Sequence, residues 1–87
     1  MPMTSQTIFI DASQYASARE LHLALQRLLA LPEYYGCNAD ALYDCLSERK
    51  DDRVNLVILS GGDGETAQAL DRCSRVIEDL GGDVRRL

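Results

Sequence analysis

Residues 54–59, with the sequence VNLVIL, constrain the fold more than any other part of the chain. The segment is apolar at every position except Asn55. A strand of this kind is typical of a parallel sheet that is covered on both faces. Because parallel strands are joined by long crossover connections that commonly contain a helix, the segment predicts an α/β fold.

Capping signals and apolar periodicity place a strand and a helix before this segment. Residues 7–11 are rich in β-branched side chains, which predicts a strand. Ser17 and Glu20 match a capping box, in which both side chains satisfy amide donors at the start of a helix. One stripe of this helix carries its apolar residues, Leu21, Ala24, Leu25 and Leu28. The helix is expected to end before Pro32.

A second helix is predicted over residues 39–47, with Asn38 as its cap, and residues 49–53 are expected to form a charged loop. A third helix is predicted over residues 65–80 and is expected to end at Gly81 and Gly82.

The last residues, 83–87, predict a short strand whose two arginines favour the edge of a sheet. The elements then follow the order strand, helix, helix, strand, helix, strand, which implies right-handed crossovers and parallel pairing. We therefore expect one α/β domain over residues 1–87, with a three-stranded parallel sheet and about three helices. A length of 87 residues and an apolar fraction of 46% suit one globular domain.

Charge and cysteine content limit the function. The chain has 14 acidic and 9 basic side chains, which gives a net charge of −5. This balance argues against a nucleic-acid partner and suits a basic protein. No segment offers the roughly 20 apolar residues needed to cross a membrane, and residues 1–6 lack the pattern of a secretory signal. An odd number of cysteines without C-x-x-C spacing (Cys37, Cys45 and Cys73) favours a reducing cytoplasm over a disulfide framework.

The second helix is the most informative element for function. Helical periodicity places Asp40, Tyr43 and Asp44 on one side, opposite an apolar stripe that includes Cys45. Two carboxylates four residues apart repel each other slightly, so the fold gains nothing from their placement. One interpretation is a solvated acidic face. The other is a binding surface that imitates the phosphates and bases of a nucleic acid.

Residues 29–46, LALPEYYGCNADALYDCL, resemble the central segment of the barstar family, the intracellular inhibitors of barnase-type ribonucleases. The clear resemblance covers residues 7–46, including the helix that carries His22. The remainder fits by its order of elements and by its Gly81-x-Asp83 ending.

This resemblance implies that the loop and the second helix plug a ribonuclease active site. Asp44 would enter the phosphate pocket, Asp40 would pair with nearby donors, and Tyr34 would pack on a catalytic side chain. Tyr43 stands where the family commonly has Trp, and Gly36 and Asn38 would approach the partner through the backbone. The complete set of expected partner-binding residues is Tyr34, Tyr35, Gly36, Asn38, Ala39, Asp40, Tyr43, Asp44 and Ser47.

The sequence also departs from the family at the rim of this surface. Where barstar has a Gly followed by an aromatic residue, residues 47–49 read Ser-Glu-Arg. Val76 stands where the family has a Glu that faces the ribonuclease, with Glu78 two positions further on. The segment between Leu46 and Glu65 is shorter than in barstar. These changes leave the identity of the partner open.

Three other groups of residues are candidate sites. The glycine-rich residues 60–64, which include Asp63 as a candidate helix cap, match no phosphate-binding motif and predict a strand-to-helix turn. His22 is expected to be structural or on the surface, although a dyad with Cys37 or Cys45 is conceivable. A metal site formed by the acidic row is disfavoured because a single helix makes a poor cage. That row consists of Asp40, Asp44 and Glu48.

We therefore expect an inhibitor without catalytic chemistry, cofactor or metal. Two alternatives stay open. One is an orphan regulator that uses the same face on another basic protein. The other is a small metal- or phosphate-handling enzyme.

Overall fold

A computed structural model describes residues 4–49 and 52–87 of the chain. Its elements are β1 (Thr4–Asp11), a short 3-10 helix (Ala12–Gln14), α1 (Ala18–Leu28), α2 (Ala39–Ser47), β2 (Asp52–Ser60), α3 (Gly64–Asp79) and β3 (Asp83–Arg86).

The three strands form one parallel sheet, as predicted, and the structure shows their order to be β1-β2-β3. Ile8 pairs with Leu56 in the register of β1 and β2, and Leu56 pairs with Val84 in the register of β2 and β3. The predicted edge strand is confirmed, since β3 stands at the end of this order and pairs with β2 through Arg85 and Arg86. The α/β architecture expected from the order of elements is therefore present.

In the described parts of the chain, the helices cover one face of the sheet only, so the prediction of a strand covered on both faces is wrong. Val54, Leu56 and Ile58 are buried in one core with the apolar residues of the helices. On the opposite face, Leu59 is 49% exposed and Phe9 is 59% exposed. The apolar run thus alternates between a packed and an open face, because all three helices contribute to the same core.

Helix α1 begins at the predicted cap. Ser17 Oγ accepts a hydrogen bond from the Glu20 amide at 3.2 Å, and the Glu20 carboxylate accepts one from the Ala16 amide at 2.6 Å. Leu28 was expected in the core but is 40% exposed, whereas Leu29 is fully buried. Leu29 continues the row of buried residues formed by Leu21 and Leu25, because residues four positions apart lie on the same face of a helix. Leu28 lies beside this row.

Helix α3 spans almost the predicted residues, and Asp63 occupies its N-cap position without a side-chain cap bond. Gly81 has a φ of 88°, which confirms the left-handed residue expected after the helix. A Cβ on Gly82 would overlap the Val54 carbonyl oxygen, so the chain needs glycine there to pass β2.

Three smaller expectations can be compared with the structure. Of the predicted charged loop, Asp52 and Arg53 belong to β2, and Lys50 and Asp51 lie outside the described residues. Residues 1–3, the start of the segment that lacks the pattern of a secretory signal, also lie outside them. In the described part of the chain, no helix has the length and apolarity to cross a membrane.

Candidate protein-binding site

Helix α2 presents one face to the core and the other to solvent. Leu42 and Leu46 are buried and fix the helix on the protein. Asp40, Tyr43 and Asp44 are exposed on the opposite face, as the periodicity predicts. Because the apolar side is fixed by packing, the polar side is presented on a rigid element. We call this exposed set, together with Tyr34, the acidic face. The flanks of α2, Ala39, Ala41 and Cys45, are half-buried.

Asn38 fixes the start of α2 and the loop before it. Its Oδ1 accepts a hydrogen bond from the Ala41 amide at 2.7 Å, which confirms the predicted cap. Its Nδ2 donates to the Gly36 carbonyl at 3.2 Å. Between them, Cys37 adopts a left-handed backbone with a φ of 55°, a conformation that is uncommon for a residue with a side chain. One side chain thus joins the loop to the helix.

The adjacent tyrosines Tyr34 and Tyr35 point in opposite directions. Tyr34 is 80% exposed, whereas Tyr35 is 6% exposed. The Tyr35 hydroxyl lies 2.6 Å from His22 Nδ1, and burial raises the pKa of Tyr35. The loop thus exposes the Tyr34 side chain and buries that of Tyr35 against His22.

His22 is a buried structural residue on α1. Its Nδ1 faces the Tyr35 hydroxyl, and its Nε2 lies 4.0 Å from the Cys73 thiol. Both ring nitrogens therefore face residues other than Cys37 and Cys45, the partners considered for a catalytic dyad. Burial lowers the pKa of His22 and raises the pKa of Cys73 to about 12. A thiol that stays protonated at neutral pH is a poor nucleophile.

Arg49 holds the C-terminal end of α2, a contact that the sequence did not reveal. Its guanidinium donates to the Leu29 carbonyl at 2.7 Å and to the Ala30 carbonyl at 2.9 Å. These carbonyls lie at the end of α1, where Ala30 has a left-handed φ of 51°. The contact joins residues about 20 positions apart, so no local sequence motif predicts it.

The carboxylates of the acidic face have no partner among the residues that the structure describes. Neither Asp40 nor Asp44 makes a side-chain hydrogen bond or ion pair with another described residue. Within residues 4–49 and 52–87, no group of His, Cys, Asp and Glu is arranged to hold a metal ion, so the row that continues to Glu48 does not form a cage. The face is therefore a source of unpaired negative charge.

The remaining candidates lie at the rim or away from the face. Ser47 is exposed and its hydroxyl donates to the Asp44 carbonyl at 3.0 Å. Val76 is half-buried against the core, and Glu78 is exposed. Residues 60–64 form a turn from β2 to α3, as predicted, with positive φ at Gly62 and Gly64.

Fold and site together define a small α/β protein that presents an acidic helix and an exposed tyrosine on a rigid frame. The family model described as Barstar (barnase inhibitor) matches residues 5–86, and the chain therefore belongs to the barstar family. The resemblance seen over residues 7–46 thus extends over nearly the whole chain.

A relative from Bacillus subtilis (strain 168), named "Putative ribonuclease inhibitor YrdF", is 41% identical over 51 residues. This match covers 59% of the present chain and 56% of the relative, so it spans little more than half of the relative's length.

Proposed function

We propose that this protein inhibits a basic, extracellular-type ribonuclease by inserting its acidic face into the active site of the enzyme. One observation carries the proposal: Asp40, Tyr43 and Asp44 are exposed on a helix anchored along its other side, and the two carboxylates have no partner among the described residues. Membership of the barstar family and the name of the relative support a ribonuclease as the class of partner.

The chemistry follows from what a ribonuclease must bind. Its active site holds cationic side chains that bind phosphate groups of RNA. Asp40 and Asp44 lie about 6 Å apart along the axis of α2, given a rise of about 1.5 Å per residue. Each carboxylate can accept two parallel hydrogen bonds from an arginine. Two carboxylates on one rigid helix would therefore occupy cationic positions that otherwise bind substrate.

Each residue then has a distinct role in the proposed complex. Asp44 occupies the phosphate pocket, Asp40 pairs with donors beside it, and Tyr34 packs on a catalytic side chain. Tyr43 supplies an aromatic contact next to Asp44. Tyr35 acts from the core by positioning the loop. The backbone and rim contacts complete the surface with Gly36, Asn38, Ala39 and Ser47.

The rigid frame favours affinity because little ordering is left to occur on binding. Asn38 fixes one end of α2 and Arg49 fixes the other. The net charge of −5 speeds the encounter with a basic enzyme at low ionic strength. In this proposal the protein has no catalysis of its own and acts in the cytoplasm, where it protects the producing cell before the nuclease is exported.

The test is a titration of a basic, guanine-preferring ribonuclease with the parent protein and its variants. We expect the parent to abolish RNA cleavage at equimolar concentration, and both Asp44→Ala and Asp40→Ala to inhibit less. Asp63→Ala is the matched control, because Asp63 is exposed at the start of α3 and its side chain makes no cap bond. If the parent leaves the enzyme fully active at micromolar excess, the proposal is wrong for that enzyme.

A second candidate function is regulation of a different basic protein through the same face. It is favoured by Val76, which packs half-buried against the core where the family has a Glu that faces the ribonuclease. Affinity purification on the parent and on Asp44→Ala, side by side, separates the two functions. Recovery of a basic protein without nuclease activity by the parent alone would support the second.

A further inference from the structure

The outer edge of β1 is open. In the described parts of the chain β1 is the end strand of the sheet, and only β2 pairs with it. Edge strands are commonly protected by lysine, proline or a covering element. From Thr4 to Ile10 the strand contains no charged residue and no proline. Its unpaired amide and carbonyl groups therefore remain available to another strand.

Apolar side chains gather in a groove beside this edge. A cavity of about 390 Å³ is lined by Phe9, Ala24 and Leu28, and its other lining residues are Tyr15 and Arg27. Tyr15 and Arg27 also line a neighbouring cavity of about 450 Å³, which reaches Leu23 and Glu20. Phe9, Leu23 and Leu28 are 59%, 37% and 40% exposed. We call this continuous surface the β1 groove.

The charges of the β1 groove are self-complementary. Glu20 lies in the first turn of α1 and Arg27 in its last turn, about 10 Å apart along the helix axis. Arg27 makes no hydrogen bond or ion pair with another described residue. A second copy related by a two-fold axis normal to the sheet would run antiparallel along both β1 and α1. Such a copy would place its Glu20 against Arg27, and the reverse, with Leu23 between them.

We propose that the β1 groove is a homodimer interface in which two copies pair β1 with β1 and α1 with α1, both antiparallel. The edge supplies backbone hydrogen bonds, the groove supplies apolar contact, and the two Glu20–Arg27 pairs set the register. No residue of the groove belongs to the acidic face, so the dimer and the proposed inhibition are independent and fail independently.

Sedimentation equilibrium of the free protein between 5 and 500 μM tests the dimer. We expect the mass to rise with concentration from 9.6 kDa towards twice that value. Each substitution acts twice in a two-fold dimer, so Arg27→Glu is expected to raise the dimer Kd at least about tenfold. The double variant Glu20→Arg/Arg27→Glu restores the pairing with reversed signs and is expected to dimerise again, with a lower free energy of unfolding because arginine cannot accept the Ala16 amide hydrogen bond.

Two further variants complete the test, one within the proposed interface and one outside it. Leu23→Glu leaves both charged residues of α1 in place and is expected to be monomeric with an unchanged far-UV circular dichroism spectrum. Leu59→Glu alters an exposed residue of the open sheet face and is expected to dimerise like the parent. The proposal is overturned if the parent keeps a mass of 9.6 kDa at 500 μM. In that case the open edge of β1 would be a site for a strand of another protein. It is also overturned if Leu59→Glu dissociates the dimer and Arg27→Glu does not.

Discussion

Replacing Tyr35 with Phe tests whether the buried Tyr35–His22 contact anchors the loop of the acidic face. The substitution removes one hydroxyl and keeps the ring in place. The hydroxyl lies 2.6 Å from His22 Nδ1 and 3.4 Å from the Asn38 carbonyl oxygen, so the first contact is the strong one. Its loss leaves a buried nitrogen of His22 without a partner, which costs about 1–3 kcal/mol.

We expect Tyr35→Phe to lower the free energy of unfolding by about 1.5 kcal/mol, in the lower half of the range for an unsatisfied buried group. For a domain of this size that corresponds to a fall in Tm of about 6–12 °C. Urea and thermal unfolding, followed by far-UV circular dichroism, measure both quantities.

Tyr34→Phe is the matched control, because it makes the same chemical change one residue away on a side chain that is 80% exposed. It is expected to alter the free energy of unfolding by less than about 0.5 kcal/mol. The reasoning is refuted if Tyr35→Phe costs no more than Tyr34→Phe.

Three further predictions concern the frame of the site, and urea unfolding checks each of them. Burial lowers the pKa of His22 below its ordinary value of 6.5, so the unfolded chain binds a proton at a higher pH than the folded protein does. The free energy of unfolding should therefore fall as the pH drops from 7.5 through 6.5 towards the lower folded pKa, and His22→Gln should remove this part of the slope. Asn38→Ala removes the 2.7 Å cap of α2 and should cost about 1 kcal/mol, whereas Asn38→Asp should cost less because it keeps a cap acceptor. Arg49→Met removes two hydrogen bonds to the end of α1 and should lower the free energy of unfolding by about 1–2 kcal/mol. A decrease below about 0.5 kcal/mol would contradict the conclusion that Arg49 holds the end of α2 on α1.

The sequence predicted the fold wherever local signals and global packing agree. Asn38 marks the start of α2, and the predicted span of that helix matches the structure. Ser17 does the same for α1, although the Glu20 carboxylate reaches the Ala16 amide instead of the cap residue's own amide. These signals work because a cap bond links residues only a few positions apart.

Prediction failed where a side chain's direction depends on distant parts of the chain. Tyr34 and Tyr35 are neighbours in a loop without regular periodicity, and no local signal shows which of them packs against the core and His22. Leu59 ends an apolar run that suggested burial on both faces, yet no described helix lies on its side of the sheet. The contact of Arg49 with the end of α1 is equally invisible, because the residues involved are about 20 positions apart.

The acidic face of α2 was predicted correctly as an exposed surface, while its use in binding remains a proposal. Helical periodicity alone separates Asp44 from Leu42, since the two lie on opposite sides of the helix. The identity of the protein that binds this surface depends on complementary charges in that partner. Those charges are not encoded in this chain.

The most direct test of the central claim is the Kd of Asp44→Asn for a basic ribonuclease, measured beside the parent by isothermal titration calorimetry. The substitution keeps the size of the side chain and removes its charge. Hydrogen bonds to a charged group contribute about 1.5–3 kcal/mol, so the Kd should rise by about 10- to 150-fold. Asp63→Asn should leave the Kd unchanged within about twofold, because that side chain lies outside the acidic face. Equal Kd values for the parent and Asp44→Asn would contradict the account.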